Sequence, residues 1–366
     1  MDRINKLRNF MKDNKLDVML ISSFANIYYY SNFSSEDGFL FVTNNKCYLL
    51  TDGRYTVQAK KECKGVEICI FGAGKRISEW LGEIIGSESI EKVGFEGSMS
   101  YDRYKMFSDI LNKTMISINI DGLRNIKDAS EISKIRKACA IADKCYKHIL
   151  EFVKVGMKEI DIRNEMLSYM LGLGASKESF DIIVASGKRG AMPHGVASNK
   201  KIKDGDFVTL DFGCVNNLYC SDITRTFVMG KPSKVMLEVY NVVREAQQRG
   251  LDVIKPGIKA SEVDKACRDY IEDMGYGAYF THSTGHGLGI IVHDPMGIGP
   301  NSDFKLEEGM VFTVEPGIYI EGIGGIRIED DVVVTSSGHE VLTKASKKLY
   351  RIKWCWSEFY DFRTVW

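Results

Sequence analysis

Four acidic residues interrupt strongly apolar, strand-like segments in the second half of the chain. They are Asp211 in VTLDF, Asp222 before ITRTF, Glu315 in FTVEP and Glu329 in IRIED. Burying a carboxylate without a partner is costly, and solvated positions on edge strands fit these apolar surroundings poorly. A fold that accepts this pattern must bring a compensating charge to the carboxylates, and a cation is the simplest choice.

The first two acids belong to one predicted β-hairpin, residues 208–227. Asn216-Asn217 is a favourable turn dipeptide because Asn tolerates left-handed backbone angles. A turn centred there places Asp211 directly opposite Asp222 on the same face, with Cβ atoms ~5 Å apart. Like charges in that arrangement are destabilising unless they are compensated.

The other two acids belong to a second predicted hairpin, residues 311–335. A glycine-rich loop centred on Gly322 places Glu315 opposite Glu329. The two hairpins, each with two acids, resemble one another weakly, which hints at an internal duplication.

Histidines in polar, glycine-containing segments supply nitrogen donors for a metal centre. They are His194, His282, His286 and His293. Oxygen-rich ligation with one imidazole suits Mn²⁺, Fe²⁺ or Co²⁺. Two such ions ~3.5–4 Å apart would share one water and convert it to hydroxide at neutral pH.

The order of predicted elements indicates two domains. In residues 1–124, strands at 17–22, 38–43, 47–50 and 92–95 alternate with helical patterns, which is typical of a small α/β domain. A long helix follows at 125–155, with Asp128 or Ser130 as its N-cap. Residues 125–350 read as α+β, with helices at 159–171, 234–248 and 260–274 and strands at 180–185, 207–212, 223–228, 310–315 and 326–335.

Composition excludes several classes of protein. The chain has 366 residues, with 49 Lys and Arg against 49 Asp and Glu. This neutral balance argues against a nucleic-acid binder. No apolar run reaches the ~18 residues of a membrane span, and the amphipathic N-terminal segment is unlike a signal peptide, so we expect a cytoplasmic protein with no membrane partner.

Four motifs in the expected order carry a family resemblance: LDFG-x7-SDITRTF, HSTGHGLG, TVEPGIYI and GGIRIED. With the LLTDGRY segment near the N-terminus, they resemble the M24 metallopeptidases, in the branch of Xaa-Pro aminopeptidases and prolidases. The resemblance spans about residues 1–350. It implies an N-terminal creatinase-type domain of ribonuclease H-like fold at 1–124, followed by a pita-bread catalytic domain at 125–350.

The resemblance also implies a dinuclear site and a metal-bridging hydroxide that attacks the scissile carbonyl. Two divalent ions are expected, Mn²⁺ first, with Co²⁺, Fe²⁺ or Zn²⁺ as alternatives. Asp222 and Glu329 would bridge the ions, Asp211 would complete one shell, and His286 with Glu315 the other. These implied ligands are Asp211, Asp222, His286, Glu315 and Glu329.

Further roles follow from the same resemblance. Glu315 would accept and shuttle the proton of the attacking water. His194 and His293 would stabilise the tetrahedral intermediate or steady the leaving nitrogen. His282 would line the proline pocket, and Arg327 would orient acidic ligands or substrate.

The resemblance leaves the branch open. Prolidases typically hold the dipeptide carboxylate with an Arg between the ligand His and the first Glu, whereas residues 287–314 contain Lys305 as their only Lys or Arg. This favours an aminopeptidase acting on peptides with proline at the second position, with a prolidase as the alternative. Two other assignments fit less well. A methionine aminopeptidase usually lacks this N-terminal domain, and a non-catalytic pita-bread module has usually lost metal ligands, which this chain retains.

Three features stay outside this assignment. Asp52 and Arg54 either form a local ion pair or reach a neighbouring subunit of the homodimer that the resemblance implies. Residues 351–366 depart from the family as an aromatic tail, which fits an oligomer contact or a frameshifted or vector-derived extension. His148 and His339 read as surface residues.

Overall fold

The computed structural model describes residues 3–72 and 74–352. The chain forms two compact units, Met1–Arg124 and Asn125–Trp366. No helix of the described part is long and apolar enough to cross a membrane. Most of the aromatic tail, residues 353–366, lies outside the described residues, so its role stays a prediction.

The first unit is built on one mixed sheet of strand order β4-β3-β2-β1-β5-β6. Its strands are β1 (Val18–Ile21), β2 (Gly38–Thr43), β3 (Cys47–Asp52), β4 (Glu67–Phe71), β5 (Lys92–Glu96) and β6 (Thr114–Ile118). Its helices are α1 (Arg3–Asp13), α2 (Phe24–Ser31), α3 (Thr56–Glu62), α4 (Ile77–Ser87) and α5 (Tyr101–Leu111). The first three strands pair antiparallel, and β4, β5 and β6 join in parallel. The predicted α/β character of this unit is confirmed.

The second unit combines four long helices of the described chain with several short sheets. The helices are α6 (Ala129–Phe152), α7 (Glu159–Gly172), α8 (Lys234–Asp252) and α9 (Ala260–Asp273). The strands of its first half are β7 (Lys177–Glu178), β8 (Ile183–Ser186), β9 (Phe207–Phe212), β10 (Cys214–Asn216), β11 (Tyr219–Cys220) and β12 (Ile223–Met229). Those of its second half are β13 (Gly285–Gly287), β14 (Asp294–Ile298), β15 (Val311–Val314), β16 (Gly317–Ile320), β17 (Gly324–Arg327), β18 (Asp330–Val334) and β19 (His339–Val341). The last strand, β20 (Arg351–Ile352), returns to the first half and pairs with β12.

Helix α6 begins where its sequence predicts. Asp128 is the N-cap, and its carboxylate accepts a hydrogen bond from the Glu131 N–H while Glu131 accepts one from the Asp128 N–H, both at 2.9 Å. This reciprocal arrangement satisfies two amide donors at the helix start. Asp128 is therefore the cap, and Ser130 is not.

Two apolar cores divide the second unit into similar halves. Helices α6 and α7 cover one core with β8, β9 and β12, through residues such as Ile149, Met166 and Leu210. Helices α8 and α9 cover the other core with β15 to β18, through residues such as Val243 and Phe312. Each half thus combines one helix pair with one acid-bearing hairpin.

The first hairpin has a different register from the predicted one. Asn217 and Leu218 have φ angles of 49° and 67°, so the turn lies one residue further along than Asn216-Asn217. The strands then pair Asp211 with Thr224, and the prediction that Asp211 lies directly opposite Asp222 is wrong. Because the offset is two residues, the two aspartates keep the same face and become diagonal neighbours.

The register of the second hairpin is confirmed. Gly317 pairs with Arg327 in one ladder, and Val314 pairs with Asp330 in the next. Both ladders follow the predicted alignment, with Glu315 and Glu329 between them. The predicted single strand 326–335 is in fact two strands, β17 and β18, because the chain changes its hydrogen-bond partner at the second glutamate.

The turn of the first hairpin carries removable strain, because Leu218 holds a positive φ that leucine adopts at a cost. We expect Leu218→Gly to raise the free energy of unfolding by about 1 kcal/mol. Thermal unfolding followed by circular dichroism measures the change. Asn217→Gly is the matched control and should change little, because Asn already tolerates this conformation. A destabilised Leu218→Gly protein would contradict the turn assignment.

Candidate metal centre and substrate cavity

The nine residues that the sequence assigns to the metal and substrate site line one cavity of about 650 Å³ in the second unit. They are Asp211, Asp222, Glu315, Glu329, His194, His282, His286, His293 and Arg327. Residues separated by more than a hundred positions are therefore brought together by the packing of the two halves.

Three of the four carboxylates, those of Asp222, Glu315 and Glu329, lie where the strand ladders are interrupted, whereas Asp211 lies within β9. The Glu315 N–H donates to Thr284 O at 2.7 Å, and the Glu329 N–H donates to Thr224 O at 3.1 Å. The Asp222 N–H donates to Asp331 Oδ2 at 2.9 Å. Each backbone amide keeps a hydrogen bond although it leaves its ladder, so the interruptions hold the side chains towards the cavity without an unsatisfied amide.

Asp222, His286 and Glu329 form a close group, with ligand atoms that all lie within 4.8 Å of one another. His286 Nε2 lies 3.5 Å from Asp222 Oδ2 and 3.4 Å from Glu315 Oε1. His286 Nδ1 lies 3.1 Å from Gly287 O. A carbonyl only accepts, so Nδ1 carries the proton of the neutral ring and Nε2 faces the carboxylates with its lone pair.

Electrostatics give this cluster the character of a cation site. Burial, followed by the negative charge of neighbouring carboxylates, raises the pKa of Asp222 and of Glu329 well above its usual range. Burial also lowers the pKa of His286. Among the described residues, Asp211 Oδ1 and Asp222 Oδ1 are buried without a hydrogen-bond partner. Orphaned oxygens beside a neutral imidazole fit the donor set of a divalent ion.

Two threonines steady the carboxylates and were not anticipated from the sequence. Thr224 Oγ1 donates to Glu329 Oε2 at 2.6 Å. Thr313 Oγ1 donates to Glu315 Oε1 at 3.1 Å and accepts from the His286 N–H at 3.1 Å. The signal was present, because each threonine stands two residues from an acid and thus shares its strand face.

Arg327 joins the carboxylates to the aromatic side of the cavity. It pairs with Asp211 and donates to Tyr319 Oη at 2.6 Å. His282 Nε2 lies 2.9 Å from the same phenol oxygen. Burial raises the pKa of Tyr319 to about 12, so the phenol stays protonated. Its oxygen accepts from Arg327, and its proton is available to His282 Nε2. Tyr319 is a site residue that the sequence did not single out.

Asp52 and Arg54 lie in the first unit and form a local ion pair at 2.7 Å. The alternative role, reaching the site of a neighbouring subunit, stays a prediction. His148 stacks on Tyr169 with ring centroids 4.0 Å apart and contacts Glu165 at 2.6 Å, away from the cavity lining.

Comparison with known proteins agrees with this architecture. Residues 133–336 match metallopeptidase family M24, and residues 3–126 match the creatinase/prolidase N-terminal domain. An Xaa-Pro dipeptidase structure from Bacillus anthracis superimposes with a TM-score of 0.93 at 45% identity, over 97% of this chain and 99% of that one. An X-Pro aminopeptidase structure from Thermotoga maritima gives a TM-score of 0.89 at 36% identity, over 96% and 100%. The Xaa-Pro dipeptidase of Pyrococcus furiosus is 40% identical over 95% of this chain and 99% of its own length.

A pita-bread unit with acidic ladder interruptions around one histidine defines a class of metal-dependent hydrolase. The chain belongs to metallopeptidase family M24 and carries the creatinase-type domain at its N-terminus. The predicted fold and family are thereby confirmed.

The raised carboxyl pKa values predict that metal binding depends on pH. Without a cation, Asp222 and Glu329 retain protons because burial disfavours their charge, and a metal must displace those protons. Affinity should therefore rise with pH over a range above the one in which an ordinary carboxyl group ionises. Isothermal titration of Mn²⁺ in two buffers of different ionisation enthalpy measures the protons released. An affinity that is constant over this range would contradict the assignment.

Proposed function

We propose that the protein is a metal-dependent Xaa-Pro dipeptidase. The supporting observation is the cluster of buried acids with orphaned oxygens around neutral His286, beside a cavity large enough for a dipeptide. Relatives named Xaa-Pro dipeptidases, from Bacillus anthracis and Pyrococcus furiosus, share 45% and 40% of their residues with this chain.

In this proposal Asp211, Asp222, His286, Glu315 and Glu329 hold two divalent ions, with Mn²⁺ as the expected metal. When bound, such ions supply Lewis-acid activation of a water and of the scissile carbonyl. Thr224 and Thr313 keep two of the carboxylates in place, because each donates one hydrogen bond to them.

The remaining side chains act on the substrate. Burial raises the pKa of Glu315, which suits a carboxylate that takes up a proton during attack and passes it to the leaving nitrogen. His194 and His293 face the cavity and would donate to the developing oxyanion or steady the leaving group. His282 would line the proline pocket. An imide nitrogen has no N–H to bind, so such a pocket recognises the ring by shape.

Hydrolysis of longer Xaa-Pro peptides is the second candidate. Among the described residues that line the cavity, Arg327 is the only Arg or Lys, and it already pairs with Asp211. A free prolyl carboxylate therefore meets histidines instead of an available guanidinium. This observation favours a substrate whose proline is followed by a further residue, as in an aminopeptidase.

The substrate test compares an Xaa-Pro dipeptide with the matching Xaa-Pro-Yaa tripeptide, with Mn²⁺ added to metal-free protein. A dipeptidase should show kcat/KM at least about tenfold higher for the dipeptide, a difference of 1.4 kcal/mol in transition-state binding. A preference for the tripeptide would establish the aminopeptidase, and cleavage of neither would refute both.

Removing the carboxylate of Asp222, one of the residues that would hold the metal, tests the ligand assignment. Asp222→Ala should abolish metal binding and hydrolysis, a larger effect than the ~10- to 100-fold loss expected for a residue outside the ligand shell. Circular dichroism should show an intact fold, since deleting a repelled carboxylate removes an unfavourable burial. Asp181→Ala, an exposed acid on the cavity rim, should keep its metal. Metal retained by Asp222→Ala would overturn the assignment.

We further propose that residues 1–124 form the creatinase-type domain, that residues 125–350 form the catalytic domain, and that the protein acts as a homodimer in the cytoplasm. The domain assignments and the dimer rest on the family resemblance. Metal analysis of the purified protein and light scattering test the metal and the dimer.

A further inference from the structure

His194 is held at the cavity by its loop alone. It lies in the His194 loop, residues 187–197, which follows β8. The imidazole is exposed and lines the cavity, and it makes no side-chain hydrogen bond within the described residues. The position of this ring therefore depends on how firmly the loop backbone is anchored.

Glu159, the first residue of α7, closes the base of this loop. Its side chain is fully buried. Its Oε1 accepts from the N–H and Oγ of Ser186, just before the loop, at 2.9 and 2.7 Å. Its Oε2 accepts from the N–H and Oγ of Ser198, just after the loop, at 3.2 and 2.6 Å. One carboxylate thus ties the entry of the loop to its exit.

Arg189, a residue of the loop itself, adds a cationic donor to the same carboxylate. Arg189 pairs with Glu159 and also donates to Val196 O at 2.9 Å. The buried carboxylate therefore accepts from five donors, one of them charged. Such charge-assisted bonds are among the stronger ones in proteins.

The tip of the loop has its own contact with β17. A Cβ on Gly190 would lie 2.9 Å from Gly325 N, so only glycine permits this approach. Pro193 O accepts from Arg327 at 3.3 Å. The tip is aimed at the carboxylate cluster by β17, while the base is closed by Glu159.

We propose that Glu159 is a positioning residue for His194: it orders the His194 loop so that the imidazole meets the substrate. This inference rests on the proposed function of His194. Glu159 itself belongs to neither the ligand set nor the cavity lining.

The test is Glu159→Gln, which keeps the volume but removes the charge and one oxygen acceptor. kcat should fall by about 10- to 100-fold, the scale expected for a misplaced group, while Mn²⁺ affinity stays unchanged. Amide hydrogen exchange across residues 187–197 should accelerate. Glu178→Gln is the matched control, since it breaks a partly exposed ion pair with Arg163 and leaves the loop untouched.

A double-mutant cycle separates positioning from general stability. If Glu159 acts through His194, then Glu159→Gln should cause no further loss of kcat in a His194→Ala background. Additive losses, or unchanged exchange in the loop, would overturn the proposal. If Glu159→Gln fails to fold, Ser198→Ala removes a single donor at the loop exit and should give a smaller effect of the same kind.

The two proposals fail in different ways. A wild-type protein that cleaves no Xaa-Pro peptide would refute the proposed function, whereas the exchange experiment would still decide whether Glu159 orders the loop. Wild-type hydrolysis together with a fully active Glu159→Gln protein would refute the role of Glu159 alone.

Discussion

Mutual repulsion among buried carboxylates is the constraint on which the rest of the catalytic unit depends. Asp211, Asp222, Glu315 and Glu329 lose hydration and raise one another's electrostatic energy. The protein offsets only part of this cost, through Arg327 on Asp211 and the two threonine hydroxyls. A divalent cation would relieve the part of this electrostatic cost that remains uncompensated. The unfavourable burial of the carboxylates would therefore contribute to the affinity for metal.

Positive charge on the far side of the sheet supports the same cluster. Arg225 is buried, binds the backbone carbonyl of Glu329, and pairs with Asp330 at 2.6 Å. Asp330 also pairs with Lys347 at 2.9 Å. Because Arg225 binds the main chain of Glu329 and not its carboxylate, it fixes the position of this proposed ligand without neutralising its charge.

The arrangement of the two hairpins explains how the four carboxylates converge. Each half carries a hairpin whose ladder is interrupted at an acid, and the amides freed there bond to groups outside their own ladder, as Glu329 N–H does to Thr224 O. The segment that carries His282 and His286 is held in place by side chains of helix α9. Asp264 accepts from the Thr284 N–H at 3.1 Å, and Arg268 donates to His282 O at 2.9 Å. Glu159 performs the equivalent task for His194, so buried acids hold both histidine-bearing loops.

The sequence alone determined the family, the helices and the set of groups around the cavity, because acids within apolar strands and glycine-flanked histidines are local patterns with few physical solutions. Strand alternation was enough to place Asp211 and Asp222 on one face, even though the turn at Asn217-Leu218 moved their register by two residues. Tyr319 and Glu159 escaped notice because their importance comes from partners distant in the chain, such as His282 for Tyr319 and Ser186 for Glu159. Only the tertiary structure decided those contacts, since a hydrogen bond across 27 to 39 positions depends on how helices and sheets pack and leaves no periodic trace in the sequence.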